Sequence, residues 1–360
     1  MAEKFGRWRD PGTGIAPFLP ITPSIVDTSP VELAARYTLV TILLVPRLAT
    51  LVLGILGVVI VGDLVGLLIS IVPPLAGVWR RWTYFIFFRS ILFALGFWQI
   101  EEREATLRKG RPLDRGGHAD GKVAPGDLVV SNHCSYVDVL WLAHRYAPTF
   151  VAPCSSDAVD TPPNFLPIHP LRYILVLLSS SAHPTLSSKG GSSLRSLLTT
   201  AKSSGHPICF FPEETTGNGR GLLRFGDGLS GVDVSDSKAR VHVIGFRFDT
   251  DRPSATFPHG SFPSHLLSLL LSPSQTLVVF HLPPAELANL SVGTTDETTA
   301  SLVAQALGRV VRLRQTGLGW RDKEEFVQFW RKKGEGRKER SDDGPKVVKG
   351  PLAGKRSARG

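Results

Sequence analysis

Cysteine is scarce in this chain. Cys134, Cys154 and Cys209 are the only three, and no two of them form a CxxC pair. That pattern argues against a disulfide framework and a Cys-rich zinc site, and it points to a reducing compartment or a cytosol-facing location. Acidic residues are also in deficit: 31 Asp and Glu against 41 Lys and Arg leave a net charge of +10. With an isoelectric point near 9.7, the chain suits an anionic partner such as nucleic acid, a membrane surface or a phosphorylated substrate. Residues 1 to 30 contain five prolines and no apolar run, so no cleavable secretory signal is expected there. Complete nucleotide motifs are missing as well. GGHADGKV (116 to 123) nearly spells a P-loop, but Val123 stands where that loop needs a Ser or Thr, and no strand precedes it. In GNGRGLL, Leu222 takes the place of the third glycine of a dinucleotide fingerprint.

Apolar residues, by contrast, are abundant at 42%, and they are concentrated. LATLVLGILGVVIVGDLVGLLISIVPPLAGV (48 to 78) carries Asp63 as its only charge, well beyond the ~20 apolar residues that a membrane span needs. Two geometries fit it: one tilted span ending at Pro73-Pro74, or a hairpin turning near Gly62-Asp63. Arginines on both flanks (Arg36, Arg47, Arg80, Arg81, Arg89) favour a re-entrant hairpin with both ends cytosolic. WTYFIFFRSILFALGFW (82 to 98) has Arg89 at its middle, which suits a segment lying in the membrane interface rather than crossing it.

Beyond a charged, Gly-rich stretch at 101 to 125, read as a linker, short apolar runs alternate with helical patterns. GDLVV (126 to 130), HPICFF (206 to 211), VHVIGFRF (241 to 248) and LVVFHLPP (277 to 284) read as strands. YVDVLWLAHRYA (136 to 147), SSLRSLLTTAKSSG (192 to 205) and a segment near 296 to 315 read as helices. Residues 251 to 275 are Ser-, Pro- and Leu-rich and are expected to be irregular. The fold class expected is therefore α/β, with a mixed, largely parallel sheet flanked by helices and an N-terminal membrane-anchoring helical module. Four units are expected: a polar segment at 1–30, the membrane module at 31–99, a catalytic domain at 100–318, and a basic helix with a disordered tail at 319–360.

Two polar constellations stand at strand ends, where α/β folds place their clefts. In SNHCSYVDVL (131 to 140), His133 and Asp138 are five positions apart. Along one continuous helix that spacing would hold the side chains about 140° apart. If His133 precedes the helix instead, the carboxylate can meet one imidazole nitrogen and leave the other to take a hydroxyl proton. Asn132 and Ser135 can hold the turn or cap the helix. The spacing alone is also compatible with chance. In FFPEETTGNGRGLL (210 to 223), Glu213, Glu214, Thr215, Thr216, Asn218 and Arg220 crowd a loop made pliable by glycines. That loop reads as a phosphate cradle or as an ordinary surface turn. Cys209, His206 and His242 read as core or strand-end residues, with no ligand cluster around them.

Together the two stretches resemble a known family. NHCSYVD is similar to the N-H-x4-D signature, and FFPEETT to the F-P-E-G-T signature, of the glycerolipid acyltransferases, the PlsC-like lysophosphatidic acid acyltransferases. The fungal branch of the endoplasmic reticulum and lipid droplets is the nearest likeness. The order of the motifs and the 80 positions between His133 and Glu213 also match. The resemblance implies that His133, oriented by Asp138, deprotonates the hydroxyl of a lysophospholipid, which attacks an acyl-CoA thioester directly, without a metal or an acyl-enzyme. It implies that Phe211, Pro212, Glu213, Thr215 and Thr216 lie in the acceptor-binding region. Asn218 and Arg220 extend that set, with Arg220 expected to touch phosphate. The partners implied are acyl-CoA, as substrate rather than cofactor, a lysophospholipid and a membrane, and no nucleic acid. The location implied is the endoplasmic reticulum membrane or the lipid droplet, with the site facing the cytosol. This chain departs from the signature at Glu214, which replaces the glycine. The family's arginine-bearing middle block is not recognisable between 151 and 185, where Arg172 is the candidate, and VHVIGFRF lacks the later block's proline. Alternative readings are an acyltransferase for another lysophospholipid, or a membrane lipid-binding or trafficking protein with an impaired site.

Overall fold

The computed structural model describes residues 2–21, 30–107, 122–154, 164–180, 190–229, 232–233, 240–249, 254–292 and 298–342. Most of the P-loop-like stretch and the basic tail beyond residue 342 lie outside them. A short 3-10 turn, Ala2–Trp8, precedes α1 (Pro30–Leu56). The helix continues through a π-helical stretch, Gly57–Leu64, into α2 (Val65–Ile69) before α3 (Pro73–Ala94) turns back. The turn expected near Gly62-Asp63 is therefore misplaced. Both residues lie inside a helix that widens rather than breaks, and the reversal falls at 70–72. Pro73 and Pro74 dictate this. They occupy the first helical positions of α3, where a missing N–H costs nothing, and the preceding Val72 is extended (φ −116°, ψ 91°), as a residue before proline prefers. The two arms of the hairpin pack closely: a Cβ on Gly57 would lie 2.2 Å from the Phe87 ring, and one on Gly54 would lie 2.7 Å from Ile91.

The rest alternates strands and helices: β1 (Ile100–Glu104), β2 (Leu128–Ser131), α4 (Tyr136–Tyr146), β3 (Thr149–Pro153), β4 (Phe165–Ile168), α5 (Pro170–Ser180), α6 (Leu194–Ser204), β5 (Ile208–Phe210), β6 (Val241–Phe248), α7 (Phe262–Leu270), β7 (Leu277–Leu282), α8 (Pro284–Val292), α9 (Thr299–Val311) and α10 (Trp320–Asp342). The described strands form one seven-stranded sheet in the order β1-β7-β6-β2-β5-β3-β4. Neighbours pair in parallel except β3 with β4 and β6 with β7. The fold is thus α/β with a mixed, mostly parallel sheet.

Alternation along the strands divides the core. Val129 and Cys209 face a layer built with Phe88 and Leu92 of α3, Trp141 of α4 and Tyr173 of α5. Leu128, Val130, Ile208 and Phe210 face Leu194 of α6 and Val303 and Leu307 of α9. The period of two places successive residues on opposite faces. The apolar hairpin shares the first layer through Leu51 and Val58, so it docks on the helical layer of the sheet rather than hanging from a linker. Other expectations need correction. The "linker" begins with β1, whose charges are tolerated because it is a sheet edge. The "irregular" stretch contains α7, whose Pro263 sits in the first turn, where proline is permitted. The sequence reading missed β3 and β4.

Candidate active site

The site starts where β2 and β5 end. These strands pair in parallel with Val130 opposite Phe210, so equal steps beyond them bring His133 and Glu213 side by side. Asn132 pins the end of β2: its Oδ1 accepts from the Phe246 N–H at 2.7 Å and its Nδ2 donates to the Phe246 carbonyl at 3.0 Å. Ser135 is the N-cap of α4, its Oγ accepting from the Val137 N–H at 3.3 Å. His133 therefore stands before the helix and Asp138 in its first turn, and the chain folds back as a capping box.

One carboxylate oxygen gathers three donors. Asp138 Oδ2 lies 3.2 Å from His133 Nδ1 and accepts the N–H groups of Cys134 at 2.6 Å and Ser135 at 2.8 Å. A carboxylate facing Nδ1 places the imidazole proton there, leaving Nε2 with a bare lone pair. His133 Nε2 is buried and has no hydrogen-bond partner among the described residues. Burial pulls the imidazole below the ordinary histidine range, the Asp138 bond and charge resist this, and the Lys323 charge works downward with burial. Burial raises the Asp138 carboxyl, while His133 and the two backbone N–H groups oppose the rise. With three donors on one oxygen, the carboxylate is the form this arrangement holds.

The second motif wraps the first. Phe211 lies flat on the His133 imidazole, centroids 4.0 Å apart. Glu213 accepts the His133 N–H at 2.9 Å through Oε1 and the Leu223 N–H at 3.0 Å through Oε2; burial pushes its carboxyl up to about 8. The Pro212 carbonyl accepts from Gly226 at 2.9 Å, and the Gly217 N–H donates to the His133 carbonyl at 2.9 Å. Thr215 is buried. Thr216 Oγ1 donates to the Phe257 carbonyl at 2.9 Å. Asn218 Nδ2 bridges the carbonyls of Ala16 and Leu19, at 2.9 Å each, so it fastens the N-terminal segment over the loop. Arg220 is exposed at the loop's end, and Arg172 is exposed on α5. The loop as a whole is buried, which excludes the ordinary surface turn.

Glu214 has φ +53°, the left-handed region in which glycine is unstrained and other residues cost roughly 1 kcal/mol. Its carboxylate fills the space that Gly226 leaves: a Cβ there would lie 2.5 Å from Glu214 Oε1. Cys134, beside His133, is not poised as a nucleophile. Burial lifts its thiol well above the ordinary range, and the thiolate is the reactive form.

Sequence reasoning missed Lys323 on α10. It is 1% exposed, and its Nζ donates to both the carbonyl and the Oγ1 of Thr216 at 2.8 Å. A signal was present: Lys323 falls at helical spacing with Phe326, Val327 and Trp330, a lysine in an apolar stripe. Among the described residues, no group of three His, Cys, Asp or Glu is placed to hold a metal ion.

The sequence has relatives among known proteins. Over 336 residues, 92% of this chain and 99% of the relative, the sequence is 26% identical to a Schizosaccharomyces pombe protein provisionally named a lysophosphatidic acid:oleoyl-CoA acyltransferase. Over almost its whole length the chain is thus similar to a protein of the glycerolipid acyltransferase family. A second relative, the Arabidopsis thaliana lysophospholipid acyltransferase LPEAT2, is 28% identical over 151 residues, 41% of this chain and 24% of that one. The solved 1-acyl-sn-glycerophosphate acyltransferase PlsC of Thermotoga maritima superposes with a TM-score of 0.44 at 15% identity, covering 78% of this chain and 96% of that one. That likeness is too loose to add to the assignment. No family model matches.

Proposed function

We propose that this acyltransferase moves an acyl group from acyl-CoA to the free hydroxyl of lysophosphatidic acid, giving phosphatidic acid. The observation that carries the reading is the bond set at one pair: Asp138 Oδ2 faces His133 Nδ1 at 3.2 Å, while Nε2 has no partner among the described residues. The acceptor hydroxyl gives its proton to Nε2 as its oxygen attacks the thioester carbonyl. The tetrahedral intermediate then expels the CoA thiolate, which takes the proton back from Nε2. Asp138 steadies the imidazolium that exists between these steps. Phe211, Pro212, Glu213, Thr215, Thr216 and Asn218 hold the shape of the acceptor region, and Arg220 meets phosphate at its exposed rim. The S. pombe relative's name supports this donor and acceptor.

The domain division follows the same logic: a catalytic unit at 100–318, an apolar module at 31–99, and flanking segments at 1–30 and 319–360, which reach the loop through Ala16, Leu19 and Lys323. Among the described residues one helix, Thr41–Ile69, is long and apolar enough to cross a membrane. Its exposed Leu53, Leu67 and Leu68 suit lipid contact. We place the protein in the endoplasmic reticulum membrane or on lipid droplets, with the site on the cytosolic side, where acyl-CoA and lysophospholipid meet.

The test is a panel: purified protein with labelled oleoyl-CoA and lysophosphatidic acid, lysophosphatidylethanolamine or lysophosphatidylcholine. Preferential labelling of phosphatidic acid is expected. Preference for a zwitterionic acceptor would favour an acyltransferase for another lysophospholipid, and transfer to none would overturn the reading.

A further inference from the structure

Beside the His133–Asp138 pair, a recess is lined by Leu177 and Leu178 of α5, Thr216, Phe257, His259 and Lys323, among others. Its composition is divided: apolar walls come from the leucines and Phe257, and polar groups gather at Thr216, His259 and Lys323. The recess is near the base by two routes. Tyr173 of α5 lies against the His133 ring, centroids 6.0 Å apart, and Leu177 is one helical turn further along the same face, about 6 Å. Thr216 precedes Gly217, whose N–H donates to the His133 carbonyl.

Lys323 is unusual here. A fully buried ammonium is expensive unless something pairs with it. Two of its three N–H donors go to Thr216, and the residue also lines the recess. Both Thr216 acceptors are neutral, and the carboxylate nearest in electrostatic terms, Glu213, is engaged with two backbone N–H groups. A buried cation without a committed counter-ion, set in a recess with apolar walls, matches the head of an anionic amphiphile.

We propose that Lys323 binds the acceptor's phosphate monoester and so makes this enzyme selective for phosphate-bearing lysolipids, with Thr216 holding the ammonium in place. The proposal rests on the reading of His133 as the base for acyl transfer to a lysophospholipid. It assigns to a helix outside both sequence motifs the charge that chooses the acceptor, and Arg220 is left to the rim.

The test compares wild type, Lys323→Met and Lys323→Arg in detergent micelles, varying lysophosphatidic acid at saturating oleoyl-CoA and then the reverse. Lys323→Met is expected to raise KM for lysophosphatidic acid about tenfold or more, consistent with losing a charge-assisted hydrogen bond. It should leave KM for oleoyl-CoA unchanged and kcat within about threefold, and Lys323→Arg should restore most of the loss. An unchanged acceptor KM in folded Lys323→Met would overturn the proposal, as would a rise confined to oleoyl-CoA, which would give the cation to the CoA phosphates. If Lys323→Met does not fold, wild type decides the matter. Glycerol 3-phosphate should compete with the acceptor where glycerol does not, and absence of that competition overturns the proposal. A wild type that acylates nothing, yet is thermally stabilised by lysophosphatidic acid while Lys323→Arg is stabilised equally, would sink the catalytic reading and leave the phosphate site standing.

Discussion

The ring of Phe211 stacks on the imidazole of His133 with 17° between their planes. The imidazole is thus held on its edge by Asp138 and on its face by the other motif, so neither stretch is complete alone. Phe211→Leu keeps most of the apolar volume but loses the flat contact, and kcat should fall about tenfold as the imidazole gains freedom. Phe211→Ala should also destabilise the fold by about 3–5 kcal/mol. Steady-state kinetics and thermal unfolding separate the two effects. Full kcat in folded Phe211→Leu would remove the stacking from the account.

Asp138→Asn retains an oxygen able to accept the Cys134 and Ser135 N–H groups, so the cap survives and unfolding should shift little. The imidazole loses its counter-charge and its fixed tautomer, and kcat should drop about 100-fold or more. In wild type, burial lowers the His133 pKa, so the acid limb of kcat/KM should fall below the ordinary histidine value of about 6.5. The limb belongs to the coupled pair rather than to one residue. A limb above neutrality would contradict this.

Much of this arrangement was legible in the sequence, and the reasons for the rest are physical. The strands at 128, 208, 241 and 277 were visible because apolar runs end at turn residues, and the helix over SSLRSLLTTAKSSG shows both a cap at Ser193 and a left-handed Gly205. β1 was hidden because an edge strand can carry IEERE. The hairpin turn was displaced because a π-helical widening at Gly57–Leu64 leaves no composition signal beyond its glycines. Glu213 is expected in the acceptor-binding region, and the sequence does not show that its carboxylate binds the backbone of His133 and Leu223. Contacts of that kind depend on parallel register between β2 and β5, which no local pattern reports. Lys323 lies more than a hundred positions from the loop it completes.

Glu213 and Lys323 make the stability of the site depend on pH. Glu213 is raised from 4.5 to about 8, so its stabilising contribution is full below pH 4.5 and is lost as pH climbs through about 8. Lys323 is lowered from 10.5 to about 7, so its contribution is full above pH 10.5 and is lost as pH falls through about 7. Between about pH 5 and 7 buried histidines such as His206 and His259, both lowered to about 4, also affect stability, but they do so in wild type and Glu213→Gln alike, so wild type should lose stability relative to Glu213→Gln as pH rises. Melting temperatures across that interval test the sign. A wild type that gains on Glu213→Gln over the same interval would contradict the burial assigned to this carboxyl.

Leu67 and Leu68 are 68% and 70% exposed on the hairpin. The double change Leu67→Glu, Leu68→Glu places two charges on its apolar surface, each costing a few kcal/mol in hydrocarbon. The variant should partition into the soluble fraction after carbonate extraction and keep its circular dichroism. Unchanged membrane association would show that the hairpin is not what holds the protein to lipid.

The central claim is that His133 takes the acceptor proton. Its most direct test is the initial rate of acyl transfer from oleoyl-CoA to lysophosphatidic acid by His133→Ala, with the fold verified by circular dichroism. The account predicts a fall of about 100-fold or more; transfer at the wild-type rate would contradict it.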